Sequence, residues 1–227
     1  MMNLYLTEMT KIIHKHHGTI DKYMGDAIMA FWNAPVDVPN HPRIACEAAI
    51  KMMIALEVLN RDLIGSGRIT EPLKIGIGLN TGEVTVGNLG SEQRFDYSCL
   101  GDAINLGSRL EGLSKAYGVP IVIGESTYDV LDQPPSDAEV VLLDHVIVKG
   151  KSIPVAIYGI IPHKHFSTDW CADHNELMAF IERDAWDDVE IVLNRLRKSE
   201  SYPGELLDQA VYRAENKVSE VRQMTTK

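Results

Sequence analysis

Along residues 4–16 the apolar positions recur as Leu4, Leu6, Met9, Ile12 and Ile13, the spacing of an amphipathic helix, and Gly18 follows as a stop signal. No strand or cap precedes this run, so the pattern opens inside a helix and reads as a cut through a domain. Two short β-prone runs come next, TIDKYM over 19–24 and DAIMAFW over 26–32. They meet at Gly25 as a tight hairpin with Asp26 at its turn. From Pro42 to Ile64 a long helix is marked by Ala45, Ala48, Ala49, Met52, Leu56 and Leu59 on one face. Such a face needs a sheet to cover.

Further on, Leu73, Ile75, Ile77 and Leu79 alternate with Lys74, Gly76, Gly78 and Asn80, and Val84 and Val86 alternate again beyond Thr81-Gly82. This alternation predicts a second hairpin turning at Thr81-Gly82. A helix over 102–117 follows with Ile104, Leu106, Leu110 and Leu113 inward, then strands over 119–123, 140–148 and 154–160. Helices crossing between antiparallel hairpins suggest an α+β sandwich with its helices on one face. After Pro162 the character changes. Residues 163–169 read as a linker, and LMAFIERDAW, DDVEIVLNRLRK and GELLDQAVYRAENKVSEV read as two or three amphipathic helices. The expected organisation is one domain over 1–162 and a helical tail over 163–227.

Composition narrows the function. With 45% hydrophobic and 24% charged residues the chain sits near the globular average. A net charge of -10 without a Lys/Arg stripe argues against nucleic acid and anionic membrane surfaces as partners. The three cysteines, Cys46, Cys99 and Cys171, are odd in number and lack metal-ligand spacing, which fits a reducing compartment and makes the cytoplasm the expected location. The apolar runs fall short of the roughly 18 residues that a membrane span needs. A chain of this kind is expected to be soluble, although it could belong to a protein anchored upstream.

Two constellations carry candidate chemistry. Lys22-Tyr-Met-Gly-Asp26 sets a carboxylate at a turn beside a glycine, where a metal and a triphosphate could approach the backbone. An ordinary Gly-Asp turn has the same appearance. Asn105 and Arg109, four residues apart, share one helix face. Asn can orient a sugar oxygen and Arg can neutralise charge that develops on a phosphate, but a plain polar helix face also looks like this. Other signals fail. Gly150-Lys151-Ser152 lacks the earlier glycine of a P-loop, since His145 stands there. His14, His16 and His17 scatter around a helix without completing a metal tetrahedron.

Taken together, DKYMGDAIMAFW over 21–32, IGIGLNTGEVTVGNLGSEQRFDYSCLGDAINLGSRLEGLSKAYG over 75–118 and VKGKSIPVAIYGI over 148–160 resemble class III adenylate cyclases, most closely the bacterial type. The resemblance covers about residues 3–160 and implies a ferredoxin-like, palm-type βαββαβ fold. It also implies a head-to-tail homodimer that binds ATP at shared sites and releases cyclic AMP and pyrophosphate. Two aspartates of such a site hold two Mg2+ or Mn2+ ions, and Asp26 matches the second. Lys22 and Ser98 match the base-selecting pair, Asn105 the ribose-orienting asparagine and Arg109 the transition-state arginine. Lys149 matches a phosphate-contacting lysine, with Lys151 a weaker candidate.

Three departures stand out. The first metal aspartate belongs to a strand before the opening helix, and no Asp precedes Asp21 here. The resemblance therefore implies a fold lacking its first strand and a chain with little or no activity by itself. Ser98 stands where many adenylate cyclases carry Asp. Glu83 stands where some animal enzymes carry Arg, and it is left out of the site. A non-catalytic, cyclase-like nucleotide-binding or regulatory subunit is the alternative, and a guanylate cyclase is less favoured. A sensor or membrane module upstream is also compatible with the resemblance.

Overall fold

The computed structural model describes residues 1–91, 93–148, 154–164, 166–216 and 222–224. In chain order the elements are α1 (Met2–Lys15), β1 (Thr19–Met24), β2 (Ala27–Phe31), α2 (His41–Gly65), β3 (Ile77–Leu79), β4 (Thr85–Ser91), β5 (Arg94–Leu100), α3 (Asp102–Tyr117), β6 (Ile121–Gly124), α4 (Glu125–Tyr128), β7 (Ala138–Val148), β8 (Val155–Pro162), α5 (Cys171–Glu182), α6 (Trp186–Leu196), α7 (Gly204–Asn216) and β9 (Arg222–Met224). They fall into two compact units, Met1–Ile75 with Thr81–Asn105, and Gly76–Asn80 with Leu106–Lys227. The class is α+β, as the sequence pattern predicts.

In the first unit α1 packs on α2. Tyr5, Met9 and Ile13 form its buried stripe at strict four-residue spacing, while Leu4 is exposed, so the face is turned from the expected one towards Tyr5. The inward face of α2 carries the predicted Ala45, Ala48, Ala49, Met52 and Leu56, extended by Asn60 and Leu63. Strands β1 and β2 form the expected hairpin, with Met24 opposite Ala27. Gly25 is the first central residue of its two-residue turn and has φ +66°, the conformation a II′ turn asks of that position. The register slips by one between Ile20 and Lys22, which makes Asp21 the extra residue of a bulge. Strands β4 and β5 form another antiparallel hairpin, paired from Thr85 with Leu100 to Ser91 with Arg94.

The predicted hairpin turning at Thr81-Gly82 is not what forms. β3 is a three-residue strand parallel to β6, and β4 pairs with β5, a strand the sequence reading passed over. Two physical causes stand out. Both backbone groups of Leu73 are taken by the buried side chain of Asn60, at 2.8 Å each, so this residue joins no strand ladder. Gly76 and Gly78 are not the solvent face of a hairpin strand. A Cβ at Gly78 would lie 2.2 Å from the Glu111 amide nitrogen and 2.3 Å from the Gly107 carbonyl oxygen, so α3 rides directly on this backbone.

The second unit is built on a five-stranded mixed sheet in the order β3-β6-β8-β7-β9. β6 is buried along its whole length, which explains its uninterrupted apolar run Ile121-Val-Ile123. Leu106, Leu110, Leu113 and Tyr117 of α3 share one core with Val141 and Val146 of β7 and with Leu177, Ile181, Val192, Leu193 and Leu206 of the C-terminal helices. The last of those helices, expected to reach Val221, is described to Asn216, and residues 217–221 lie outside the described residues. Buried polar groups tie the layers together. The Tyr117 hydroxyl donates to Asp144 at 2.6 Å, and Arg213 of α7 forms a hydrogen-bonded ion pair with the same carboxylate.

His174 of α5 is a second buried tie. Its Nε2 donates to the Leu142 carbonyl at 2.8 Å, so Nδ1 of the neutral ring accepts from the Tyr202 hydroxyl at 2.8 Å. Burial pushes its pKa from 6.5 down to about 4. The unfolded chain therefore takes up a proton that the folded chain refuses, and stability falls as pH drops from 6.5 towards 4. The expected loss from this group is about 3 kcal/mol. Urea midpoints at pH 7, 5.5 and 4.5 check it: a His174→Gln variant should show a shallower acid decline than wild type, and parallel declines would refute the role.

Candidate active site

Strands β1 and β5 bring together two of the residues singled out in the sequence. Asp21 sits between them with a fully buried side chain. The Ser98 hydroxyl donates to its Oδ2 at 2.7 Å, and the Cys99 thiol lies 3.8 Å from the same oxygen. The Lys22 ammonium stands 3.3 Å from Oδ1. That ion pair lacks hydrogen-bond geometry, so Oδ1 is buried with a charge beside it but no hydrogen-bond donor.

The bulge explains how consecutive residues reach one another. Neighbouring side chains on a regular strand point to opposite faces, and the extra residue at Asp21 breaks that alternation. Lys22 keeps its side chain half exposed, so the ammonium is available to a ligand while its inner side is fixed by Asp21. Ser98 is buried, 5% exposed. Cys99 is also buried, as a core cysteine should be. Burial first, and then the Asp21 charge, pushes its thiol up to about 11, which keeps it protonated and unreactive.

Asp26 lies exposed at the β1–β2 turn and makes no hydrogen bond or ion pair among the described residues. Its charge is felt by the buried Tyr5 phenol, whose pKa is raised by burial first and by Asp26 second. Among the described residues no group of three or more His, Cys, Asp or Glu side chains could hold a metal. A dication held by Asp26 would complete its shell with further oxygen ligands such as phosphate and water. Such a donor set suits Mg2+, which commonly binds through one or two carboxylates, and Asp26 fits as one of them.

Asn105 and Arg109 lie on the continuous sixteen-residue helix α3, one turn apart on the same face, with Asn105 exposed and Arg109 half-buried. Asn105 closes the first unit, and Arg109 belongs to the second. Lys149 and Lys151 lie outside the described residues. Asp21 is the residue that sequence reasoning missed. Its signal was an acidic residue inside a β-prone run, directly before a candidate base-binding lysine.

Residues 1–162 match the adenylate and guanylate cyclase catalytic domain family. The chain belongs to that family. Its α+β architecture is the palm-type fold of class III cyclase domains. Among curated relatives, the adenylate cyclase of Anabaena cylindrica is 38% identical over 161 residues, 70% of this chain and 31% of that protein. Adenylate cyclase 1 of Rhizobium meliloti is 31% identical over 161 residues, 71% of this chain and 24% of that protein. This cyclase chain thus spans less than a third of the length of either relative. Among solved structures, the adenylyl cyclase CyaB from P. aeruginosa matches with a TM-score of 0.64 and 35% identity, over 72% of this chain and 82% of that one. The guanylyl cyclase Cya2 matches with a TM-score of 0.62 and 33% identity, over 72% and 81%. Overall likeness therefore does not choose between ATP and GTP. No described helix of the cyclase chain is long and apolar enough to cross a membrane.

Proposed function

We propose that this chain is an adenylate cyclase catalytic domain over 1–162 followed by a helical extension over 163–227, acting in the cytoplasm as a homodimer with shared sites. The observation that carries the reading is that Asp21 links Lys22 and Ser98, the two residues that the family resemblance matches to base selection. An ammonium donates to adenine N1 but confronts the N1–H of guanine. The adenylate cyclases among its relatives support the same choice.

In the proposed reaction the ribose 3′-oxygen bonds to the α-phosphorus while the bond from that phosphorus to the pyrophosphate oxygen breaks. The hydroxyl proton leaves to solvent. Asn105 would hold the ribose so that its 3′-oxygen faces the phosphorus, and orientation of this kind is a large part of what such a site contributes. Arg109 would neutralise the charge that builds on the α-phosphate oxygens in the transition state. Lys149 is proposed to bind the triphosphate. Asp26 would hold a divalent ion together with phosphate oxygens; when bound, that ion supplies charge neutralisation and favours the ionised 3′-hydroxyl.

A second reading starts from the residues matched to the family's site: Asp26 corresponds to the second metal aspartate, and no residue of the 227 corresponds to the first. The chain would then supply Lys22, Ser98, Asn105 and Arg109 to a partner that carries both metal aspartates. One experiment separates the readings. The chain is assayed with ATP and Mn2+ alone, and again mixed with an intact class III cyclase domain whose own asparagine and arginine positions are alanine. The homodimer reading expects cyclic AMP, identified by mass spectrometry, from the chain alone. The second reading expects it from the mixture with almost none from either component, and cyclic AMP from the chain alone would refute that second reading. No cyclic AMP from the mixture, with no binding of an ATP analogue, would sink the cyclase function altogether.

A further inference from the structure

We propose that Asp21 is a positioning residue for base selection: by accepting the Ser98 hydroxyl proton, it leaves Ser98 Oγ only lone pairs to present to the nucleotide. This rests on the reading that Lys22 and Ser98 meet the base. A serine hydroxyl can donate or accept, so an unrestrained Ser98 would satisfy the N6 amino group of adenine and the O6 of guanine equally well. Serine alone is no selector. A carboxylate is acceptor-only, so the 2.7 Å hydrogen bond from Ser98 Oγ to Asp21 Oδ2 has one direction.

The pair then offers a donor from Lys22 and an acceptor from Ser98. Adenine presents the complement, an acceptor at N1 and a donor at N6. Guanine presents a donor at N1 and an acceptor at O6, which is mismatched at both points. The same Asp21 also holds Lys22, whose ammonium lies 3.3 Å from Oδ1, so one buried carboxylate sets both halves of the pattern. The bulge that makes Asp21 the extra residue of β1 is what allows it to reach Ser98 and Lys22 together. Burial adds to the effect, because Asp21 is shielded from water that would compete for the Ser98 proton.

The test measures binding rather than turnover. Non-cleavable α,β-methylene analogues of ATP and GTP are titrated calorimetrically into the 227-residue chain with Mn2+. Wild type is expected to bind the adenine analogue at least tenfold more tightly, and Asp21→Asn to shrink that ratio about tenfold, partly by gaining affinity for guanine. Ser98→Thr, which keeps the hydroxyl, should keep the ratio. If Asp21→Asn fails to fold, wild type still answers through two analogues of similar size, one with N6-methyladenine and one with 6-methoxypurine. Both offer an N1 acceptor, but only the first has a donor at position 6, so it should bind about tenfold more tightly. Equal binding of that pair, an unchanged ratio in Asp21→Asn, or equal loss of both nucleotides in that variant overturns the proposal while leaving the cyclase reading in place. Failure of wild type to bind either nucleotide overturns the base-contact reading and the proposal with it.

Discussion

Replacing Asp144 with alanine is expected to cost about 3–5 kcal/mol of stability, which is a large part of the roughly 5–15 kcal/mol that holds a typical domain together. Asp144 is 1% exposed and Arg213 5% exposed, and the two form a hydrogen-bonded ion pair between β7 and α7. Asp144 also accepts from the Tyr117 hydroxyl of α3 at 2.6 Å and from the His145 amide at 2.6 Å. Truncation removes the carboxylate that faces a buried guanidinium and the group that accepts from a buried phenol at 2.6 Å. The penalty comes mostly from burying a charge that has lost this carboxylate, so the double variant Asp144→Leu/Arg213→Met should recover most of the loss. Urea unfolding followed by tryptophan fluorescence measures both, since Trp170 lies in the same core. A single-variant loss below about 1 kcal/mol would show that the pair does not hold the layers together.

What makes that site costly also made it hard to read in the sequence. Asp144 stands in the apolar run VVLLDHVIV, an anomaly that pattern counting registers only as a strand residue, and its partners lie 27 and 69 residues away. Local periodicity revealed the elements whose environment is local. The β1–β2 hairpin follows from Gly25, and α3 follows from Leu106, Leu110 and Leu113. It failed where the partner of a segment is remote. Alternation over 73–79 looks the same whether the alternate face meets water or a helix, and only the contact of Gly78 with α3 distinguishes them. Strand β5 could have been read, because Phe95, Tyr97 and Cys99 alternate with Asp96 and Ser98.

The candidate site was legible to a different extent. Family resemblance placed Lys22, Asp26, Ser98, Asn105 and Arg109 in order, whereas their residue types alone were compatible with a turn and a polar helix face. Alternation could not single out Asp21, because a bulge is a defect in the very alternation by which strands are recognised. The structure turns an acidic residue with no assigned task into the common neighbour of Lys22 and Ser98.

Arg109→Ala should lower cyclic AMP production in the mixed assay by about 10²–10³-fold, equivalent to about 2.7–4 kcal/mol of transition-state stabilisation. The reason lies in timing. Charge on the α-phosphate oxygens is greatest as the ring closes, so a guanidinium aimed there helps the transition state more than bound ATP. Binding of the non-cleavable ATP analogue should therefore change less than about tenfold while turnover falls much further. Arg109 is half-buried on α3, which limits its freedom and lowers the entropy lost on engaging phosphate. Arg109→Lys should recover only part of the rate, because a point charge on a flexible stem cannot reproduce a planar fork of donors. Asn105→Ala, one turn earlier and exposed, removes only an orienting contact in the proposed reaction and should cost less than Arg109→Ala. Turnover of Arg109→Ala within threefold of wild type, or an equal loss in binding and rate, would remove Arg109 from the transition state and leave it as a residue of the helix surface.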